Sequence, residues 1–399
     1  VPRDSCPLCD APAGERFLYR PAVPVHQNLL FDSPAAARGM KRGTLDMRFC
    51  PRCGFVFNAA FDPALVDYGP AYENSQDFSP AFVAHLDSLV DHLVTACGVR
   101  GGRVVEVGCG KGLFLTKLLA HPENRSEAYG FDPSYRGPDR VGRARFVKDF
   151  YGPATAVPAD VVICRHVIEH LPEPLELLRT VRAAVGGSGQ TRVFLETPCV
   201  AWILRNRVPW DFFYEHCSLF TADSLSLALQ RSGFTITGVR HVFGGQYLWA
   251  EAVSAPPPLG TPPDAGLRTA PELAALARQF ATQEQARRQR WQGRLAELTP
   301  RGPVYAWGAG AKGVTFCNLA DPGGTRLAGV VDLNPAKQGK FLPGSGHVIT
   351  SPDAAVADSP TAFLVFNPNY LAEVRSAVRR LGSGADVIDL MQEATPCGS

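Results

Sequence analysis

Apolar residues between positions 76 and 100 fall at helical spacing. Phe82, Leu86, Leu89, Leu93 and Val94 share one stripe and predict a helix. The run Arg103-Val-Val-Glu-Val107 predicts a buried strand, followed by a glycine turn and a helix over Leu113–Leu119. Further strands are predicted at Ala128–Phe131, Val161–Cys164 and Arg192–Leu195, alternating with helical stretches. Such alternation predicts an α/β fold with a parallel sheet and helices on both faces. Residues 254–271 are proline-rich and read as a linker or surface loop. Leu273, Leu276, Phe280, Trp291, Leu295 and Leu298 mark one face of a long helix over Glu272–Leu298. A second series follows: strands at Val304–Trp307, Leu327–Val331, Ala362–Phe366 and Val387–Leu390, with a glycine turn after the first. Residues 1–75 show neither period and read as irregular. The pattern predicts three domains: 1–75, 76–255 and 256–399.

Composition narrows the function. The 399 residues carry 40 basic and 38 acidic side chains, a formal charge of +2. This near-balance argues against a nucleic-acid-coating surface. The four arginines 287, 288, 290 and 294 read as a solvated helix face. No apolar run is long enough to span a membrane, and the first residues lack the build of an export signal, so a cytoplasmic protein with no membrane partner is expected. Of 11 cysteines, four are patterned: Cys6-Pro-Leu-Cys9 and Cys50-Pro-Arg-Cys53. Each Cys-x2-Cys turn offers two thiolates at a bite that suits zinc, so the four predict one closed, structural Zn²⁺ site.

Two glycine turns carry the remaining chemistry. Glu106-Val-Gly108-Cys-Gly110-Lys-Gly112 lies between strand and helix, where backbone and helix N-terminus can approach a ligand. Gly130-Phe-Asp132-Pro ends the next strand, and Val147-Lys-Asp149-Phe follows. This order resembles class I S-adenosylmethionine (SAM) methyltransferases. The resemblance implies that Glu106 lies near the methionine end, that Asp132 holds the ribose hydroxyls, and that Asp149 faces the adenine. Arg165 is assigned to the cofactor side. Val167-Ile-Glu169-His170-Leu171 follows the strand that borders the transferred methyl, and Glu196 should face the same cleft. A dinucleotide-binding fold is the alternative for a glycine turn alone.

The stretch Trp210-Asp-Phe-Phe-Tyr214-Glu215-His216 is the most informative. With Gly233-Phe234 and His241-Val-Phe-Gly-Gly-Gln246, it resembles the C-methyltransferases of nucleotide-linked keto-sugars in antibiotic biosynthesis. Those enzymes join a Cys₄ zinc domain, a SAM domain and a second Rossmann-like domain. The resemblance implies a general base at His216 assisted by Glu215, with Tyr214, His170 and Tyr72 orienting substrate. Where those enzymes read Tyr-Asp-Glu-His, this chain reads Phe213-Tyr214-Glu215-His216, so a tyrosine hydroxyl is lost at Phe213 unless Tyr214 substitutes for it. His216 also reads as a buried histidine satisfied by backbone. Gly308, Gly310 and Lys312 open the second glycine turn and, with Asp332, Asn367 and Asn369, should hold the anionic carrier of the substrate. Three other functions fit parts of the pattern: O- or N-methylation of another small metabolite, SAM or nucleotide binding without turnover, and RNA methylation. The charge balance counts against the last.

Overall fold

The computed structural model describes residues 3–12, 14–69, 72–75, 77–185, 191–255 and 270–392. The N-terminal part contributes β1 (Arg16–Pro24), β2 (Arg42–Phe49) and β3 (Val56–Asn58). The middle part contributes β4 (Arg103–Val107), β5 (Glu127–Phe131), β6 (Arg140–Val141), β7 (Ala144–Val147), β8 (Val161–Arg165), β9 (Arg192–Pro198), β10 (Ser218–Leu219), β11 (Thr235–Val242) and β12 (Tyr247–Val253). The C-terminal part contributes β13 (Val304–Trp307), β14 (Gly329–Val331), β15 (Ile349–Thr350), β16 (Ala362–Val365) and β17 (Asp386–Asp389).

The middle sheet runs β11-β12-β9-β8-β4-β5-β7-β6. Its centre is parallel, as the apolar runs predict, because both faces are covered: Val104, Val105, Val161, Val162 and Ile163 are all fully buried. Antiparallel β11 and β12 extend one edge, and neither was evident from the sequence pattern. The C-terminal sheet, β15-β14-β13-β16-β17, is wholly parallel. In both sheets the first strand has its successors on opposite sides. That arrangement opens a crevice at the carboxyl ends of β4 and β13, where each glycine turn lies.

The described residues of 1–75 are not irregular. β1, β2 and β3 form an antiparallel sheet completed by β10, so the first domain shares a sheet with the second. Pro21 and Pro24, together with bulges after Arg16 and Arg20, break the two-residue period that would have revealed β1. The predicted long helix spans Ala270–Leu298 and buries Leu273, Phe280, Trp291, Leu295 and Leu298. Arg287 is buried too and donates to the Arg207 carbonyl at 2.9 Å, so the basic cluster is not uniformly a solvated face. Most of the proline-rich segment lies outside the described residues. Among those described, no helix is long and apolar enough to cross a membrane.

The 210–216 stretch is fixed by all three parts. Buried Arg20 of β1 donates to the carbonyls of Pro209 and Phe212, both at 3.0 Å, and pairs with Glu284 of the long helix at 2.9 Å. The Trp210 indole donates to the Phe366 carbonyl at 3.2 Å.

Candidate active site

The first turn is built around one carboxylate. Gly108 N donates to the Phe131 carbonyl at 2.8 Å and Gly110 N to Asp132 Oδ2 at 2.8 Å. The other Asp132 oxygen accepts from Ser134 N and Oγ at 2.7 and 2.6 Å. Gly108 has φ +71°, and a Cβ there would come within 2.1 Å of Val167, so no other residue fits. Gly110 also has positive φ, +55°, but faces open space at the cleft. Gly112 caps the helix Leu113–Ala120 and faces Phe146 rather than the cavity.

A cavity of about 290 Å³ opens over this turn, lined by Glu106, Gly108, Gly110, Lys111, Asp132, Phe150 and Arg165 among others. Glu106 is buried, and burial pushes its carboxyl up to about 8 against the opposing pull of Arg165. Its Oε2 has no partner among the described residues. An orphaned buried carboxylate beside a turn with a ribose-ready aspartate suits a ligand with a cationic end and a ribose, as SAM has. Asp149 departs from expectation: it is exposed, bonds only the Phe150 amide among the contacts found, and is not in the lining, which has Phe150 and Tyr151 instead.

A second cavity, of about 280 Å³, lies between the middle and C-terminal parts. Tyr72, Asn74, Ser75, His166 and His170 line both cavities, so they mark where the two ligands would meet. His216 lines the second cavity alone, its ring edge-on to His170 at 4.8 Å. Burial, with His170, His166 and Lys312 nearby, drives its imidazole well below the usual histidine range. It is therefore a neutral acceptor at pH 7, not a group titrating near neutrality. His170 Nδ1 is 3.0 Å from the hydroxyl of Tyr68, a residue that no sequence motif marked.

Neighbours of His216 in sequence point elsewhere. Glu215 is fully buried, faces away from the cavity, and accepts from His26 Nδ1 at 3.1 Å and Gln27 N at 2.8 Å. His26 Nε2 accepts from Asp67 N at 2.8 Å, which fixes the proton on Nδ1. Tyr72, beside Glu215, is also buried, and burial raises its phenol well above the usual range. Tyr214 does not enter the cleft. Its hydroxyl accepts from Asp62 N at 2.8 Å, and its ring packs beside Gly43, where a Cβ would come within 2.3 Å. It therefore does not replace the hydroxyl missing at Phe213.

Glu196 is likewise not a cleft residue. It is fully buried and binds His85 Nε2 at 2.6 Å and Arg165 Nε at 2.8 Å. The Arg165 guanidinium, with His166 and the His85 hydrogen bond, holds its carboxyl low, at about 2, despite burial. Arg165 also lies over the Phe114 ring at 4.5 Å, so Glu196 positions a cofactor-side cation rather than substrate. His166, with φ +53°, is anchored by Glu169 at 3.2 Å. Sequence reasoning missed His166, because nothing in its motif signals a left-handed backbone.

The second turn repeats the first. Gly308 N donates to Val331 O at 2.7 Å, Ala309 N to Asp332 Oδ2 at 2.9 Å, and Asn334 N to Asp332 Oδ1 at 2.9 Å. Gly308, Gly310, Lys312, Asp332 and Asn367 line the second cavity. Lys312 pairs there with Asp211. Buried Lys337 donates to the Ala309 carbonyl at 3.1 Å and lies 3.6 Å from Asp332. Asn367 exchanges amide hydrogen bonds with Gln246. Asn369 instead donates to the Phe243 carbonyl at 2.8 Å and is outside the lining.

Away from both cavities, Cys6, Cys9, Cys50 and Cys53 converge with all sulfurs within 4.8 Å and no disulfide among them. Cys6–Cys53 and Cys9–Cys50 are 3.7 and 3.5 Å apart, close to the ~3.8 Å edge of a zinc–thiolate tetrahedron.

Comparison with known proteins agrees with this arrangement. A methyltransferase domain model matches residues 82–239, and a C-methyltransferase C-terminal domain model matches residues 267–388. The C-methyltransferase NovU of Streptomyces niveus is 27% identical over 393 residues, covering 94% of this chain and 91% of NovU. Among solved structures, a 1,6-didemethyltoxoflavin N1-methyltransferase from Burkholderia thailandensis is 18% identical, with TM-score 0.34, over 43% of this chain and 79% of its own. The dimethyltransferase RosA from Streptomyces davawensis is 20% identical, with TM-score 0.35, over 44% of this chain and 55% of its own. The chain thus carries matches to both a methyltransferase domain and a C-methyltransferase C-terminal domain, and it is a SAM-dependent methyltransferase.

Proposed function

We propose that the chain methylates a carbon atom next to the ketone of a nucleotide-linked keto-sugar. The observation that carries this reading is the junction of the two cavities. One glycine turn presents the unpartnered Glu106 carboxyl to a cationic cofactor, the other presents Lys312 to an anionic carrier, and imidazoles stand between. NovU, similar over nearly the whole chain, is by its name a carbon methyltransferase.

When bound, SAM supplies an electrophilic methyl group. Glu106 would face its cationic end and Asp132 its ribose. Lys312, released from Asp211 toward the carrier phosphates, would fix the sugar at the junction. His216, neutral and lining the second cavity, accepts the proton from the carbon beside the ketone. The enolate so formed is the nucleophile. His170, held by Tyr68, orients the same carbon. Low basicity keeps His216 deprotonated and ready, while the enclosed site offsets its weakness by positioning.

The Cys₄ cluster would hold a structural zinc, since four buried sulfurs leave no open position. Cys50→Ser should lower thermal stability and abolish zinc retention while residual folded protein still turns over. A fully active, zinc-free wild type would refute it.

The reaction is tested by incubating enzyme and keto-sugar in D₂O without SAM. Deuterium should enter the α-carbon with wild type. Its absence, together with a product that loses its new methyl as a methoxy fragment, would identify an oxygen methyltransferase.

A further inference from the structure

His92, Cys97 and Glu251 form a third cluster of ligand-type side chains, away from the residues that line either cavity. His92 Nε2 lies 2.7 Å from Glu251 Oε1 and 3.3 Å from Cys97 Sγ, and Cys97 Sγ lies 3.7 Å from Glu251 Oε2. The backbone makes this grouping. The helix Pro80–Asp91 ends in a wider π-type turn over His92–Ala96, closed by Cys97 N donating to His92 O at 3.0 Å. On an α-helix, residues five apart diverge by about 140°. The wider turn brings them to one face, and single π turns recur at functional sites. Glu251 comes from β12, on a different element, and its Oε1 also accepts from the Trp249 indole at 2.9 Å, which fixes the carboxylate.

We propose that these three residues form a second divalent-metal site, selective for a zinc-class cation. An imidazole, a thiolate and a carboxylate are the mixed N, S and O donors that zinc accepts. Tetrahedral zinc with such ligands needs donor separations of about 3.3–3.7 Å. The Cys97–His92 separation already matches, Cys97 lies at a matching distance from one Glu251 oxygen, and His92 needs to open by only about 0.6 Å from the other. Water would supply the fourth ligand. The site is also reachable, with His92 and Glu251 side chains 26% and 22% exposed. The Ser345–His347–Asp321 trio of the C-terminal part makes a useful contrast, because it is sealed and internally bonded. Metal here would pin the helix that covers the cofactor cavity, through Phe82 and Leu86, to strand β12.

The full-length enzyme is equilibrated with zinc at neutral pH, freed of loose metal, and its zinc counted by mass spectrometry. Wild type should hold one more zinc per chain than Cys97→Ser or His92→Ala. Cys199→Ser, which alters another cysteine beside a histidine, should match wild type. Cobalt(II) added to wild type whose more weakly held zinc has been removed by chelator should produce a near-ultraviolet thiolate-to-cobalt band that Cys97→Ser lacks. SAM binding by calorimetry confirms that each variant is folded. Equal zinc content in wild type and Cys97→Ser, or a cobalt band that survives Cys97→Ser, overturns the proposal.

Discussion

The two glycine turns share one backbone solution and differ in charge. In each, the first glycine amide bonds the end of the next strand, and a loop amide and a residue two positions on donate to the same aspartate. Around Asp132, Glu106 keeps an unpartnered oxygen. Around Asp332, two lysines stand within the lining, one against Asp211 and one against Asp332 itself. The backbone motif is shared, and the side chains differ. On the proposed reading, Glu106, with Lys111 and Arg165 in the same lining, meets the cationic end of SAM, and the two lysines of the second turn meet an anionic carrier.

His216, where the two ligands would meet, should show the largest effect of substitution. His216→Asn should abolish α-proton exchange and lower turnover by roughly 10²–10⁴-fold, the usual worth of a positioned base. Its pKa is driven down, so turnover should show no inflection from this group between pH 6 and 8. Full activity in the variant would move the base to His170.

Asp132→Ala comes next. It should weaken SAM binding at least about tenfold, since charge-assisted bonds to ribose contribute about 1.5–3 kcal/mol each and each decade is ~1.4 kcal/mol. Its substrate KM should hold. Lys312→Ala should do the reverse, raising substrate KM several-fold and leaving SAM affinity alone. If both variants lose both ligands, the contrast between the turns collapses.

Glu106 gives the smallest and most specific effect. Its carboxyl, raised to about 8, is mostly protonated at pH 7 in the free protein. A cationic ligand favours the ionised form, so SAM affinity should rise as pH climbs through 8 and binding should release protons. Glu106→Gln should flatten both trends, as calorimetry in buffers of different ionisation enthalpy would show. The linkage also acts on folding. A raised carboxyl pKa stabilises the fold fully below about 4.5, and that contribution is lost as pH rises through 8.

The sequence revealed what repeats a physical rule. Buried parallel strands read as apolar runs, and Val304–Trp307 falls where that rule places it. Glycine turns announce themselves by composition. Side-chain direction is harder. Tyr214, Glu215 and His216 are adjacent in sequence, yet they face Asp62, His26 and the second cavity respectively. No periodicity covers such an irregular segment. Tyr68 reaches the site from the N-terminal part, whose broken strands hid the sheet beside it. β11 was missed for a related reason: it contains no fully buried residue and so carries little hydrophobic signal.

The central claim is that the two turns hold different ligands at the same time. It is tested most directly by titrating a nucleoside diphosphate into enzyme saturated with S-adenosylhomocysteine. The account predicts one nucleotide per chain, bound with undiminished affinity and with the S-adenosylhomocysteine retained. Displacement of S-adenosylhomocysteine by the nucleotide would contradict it, as would the absence of nucleotide binding.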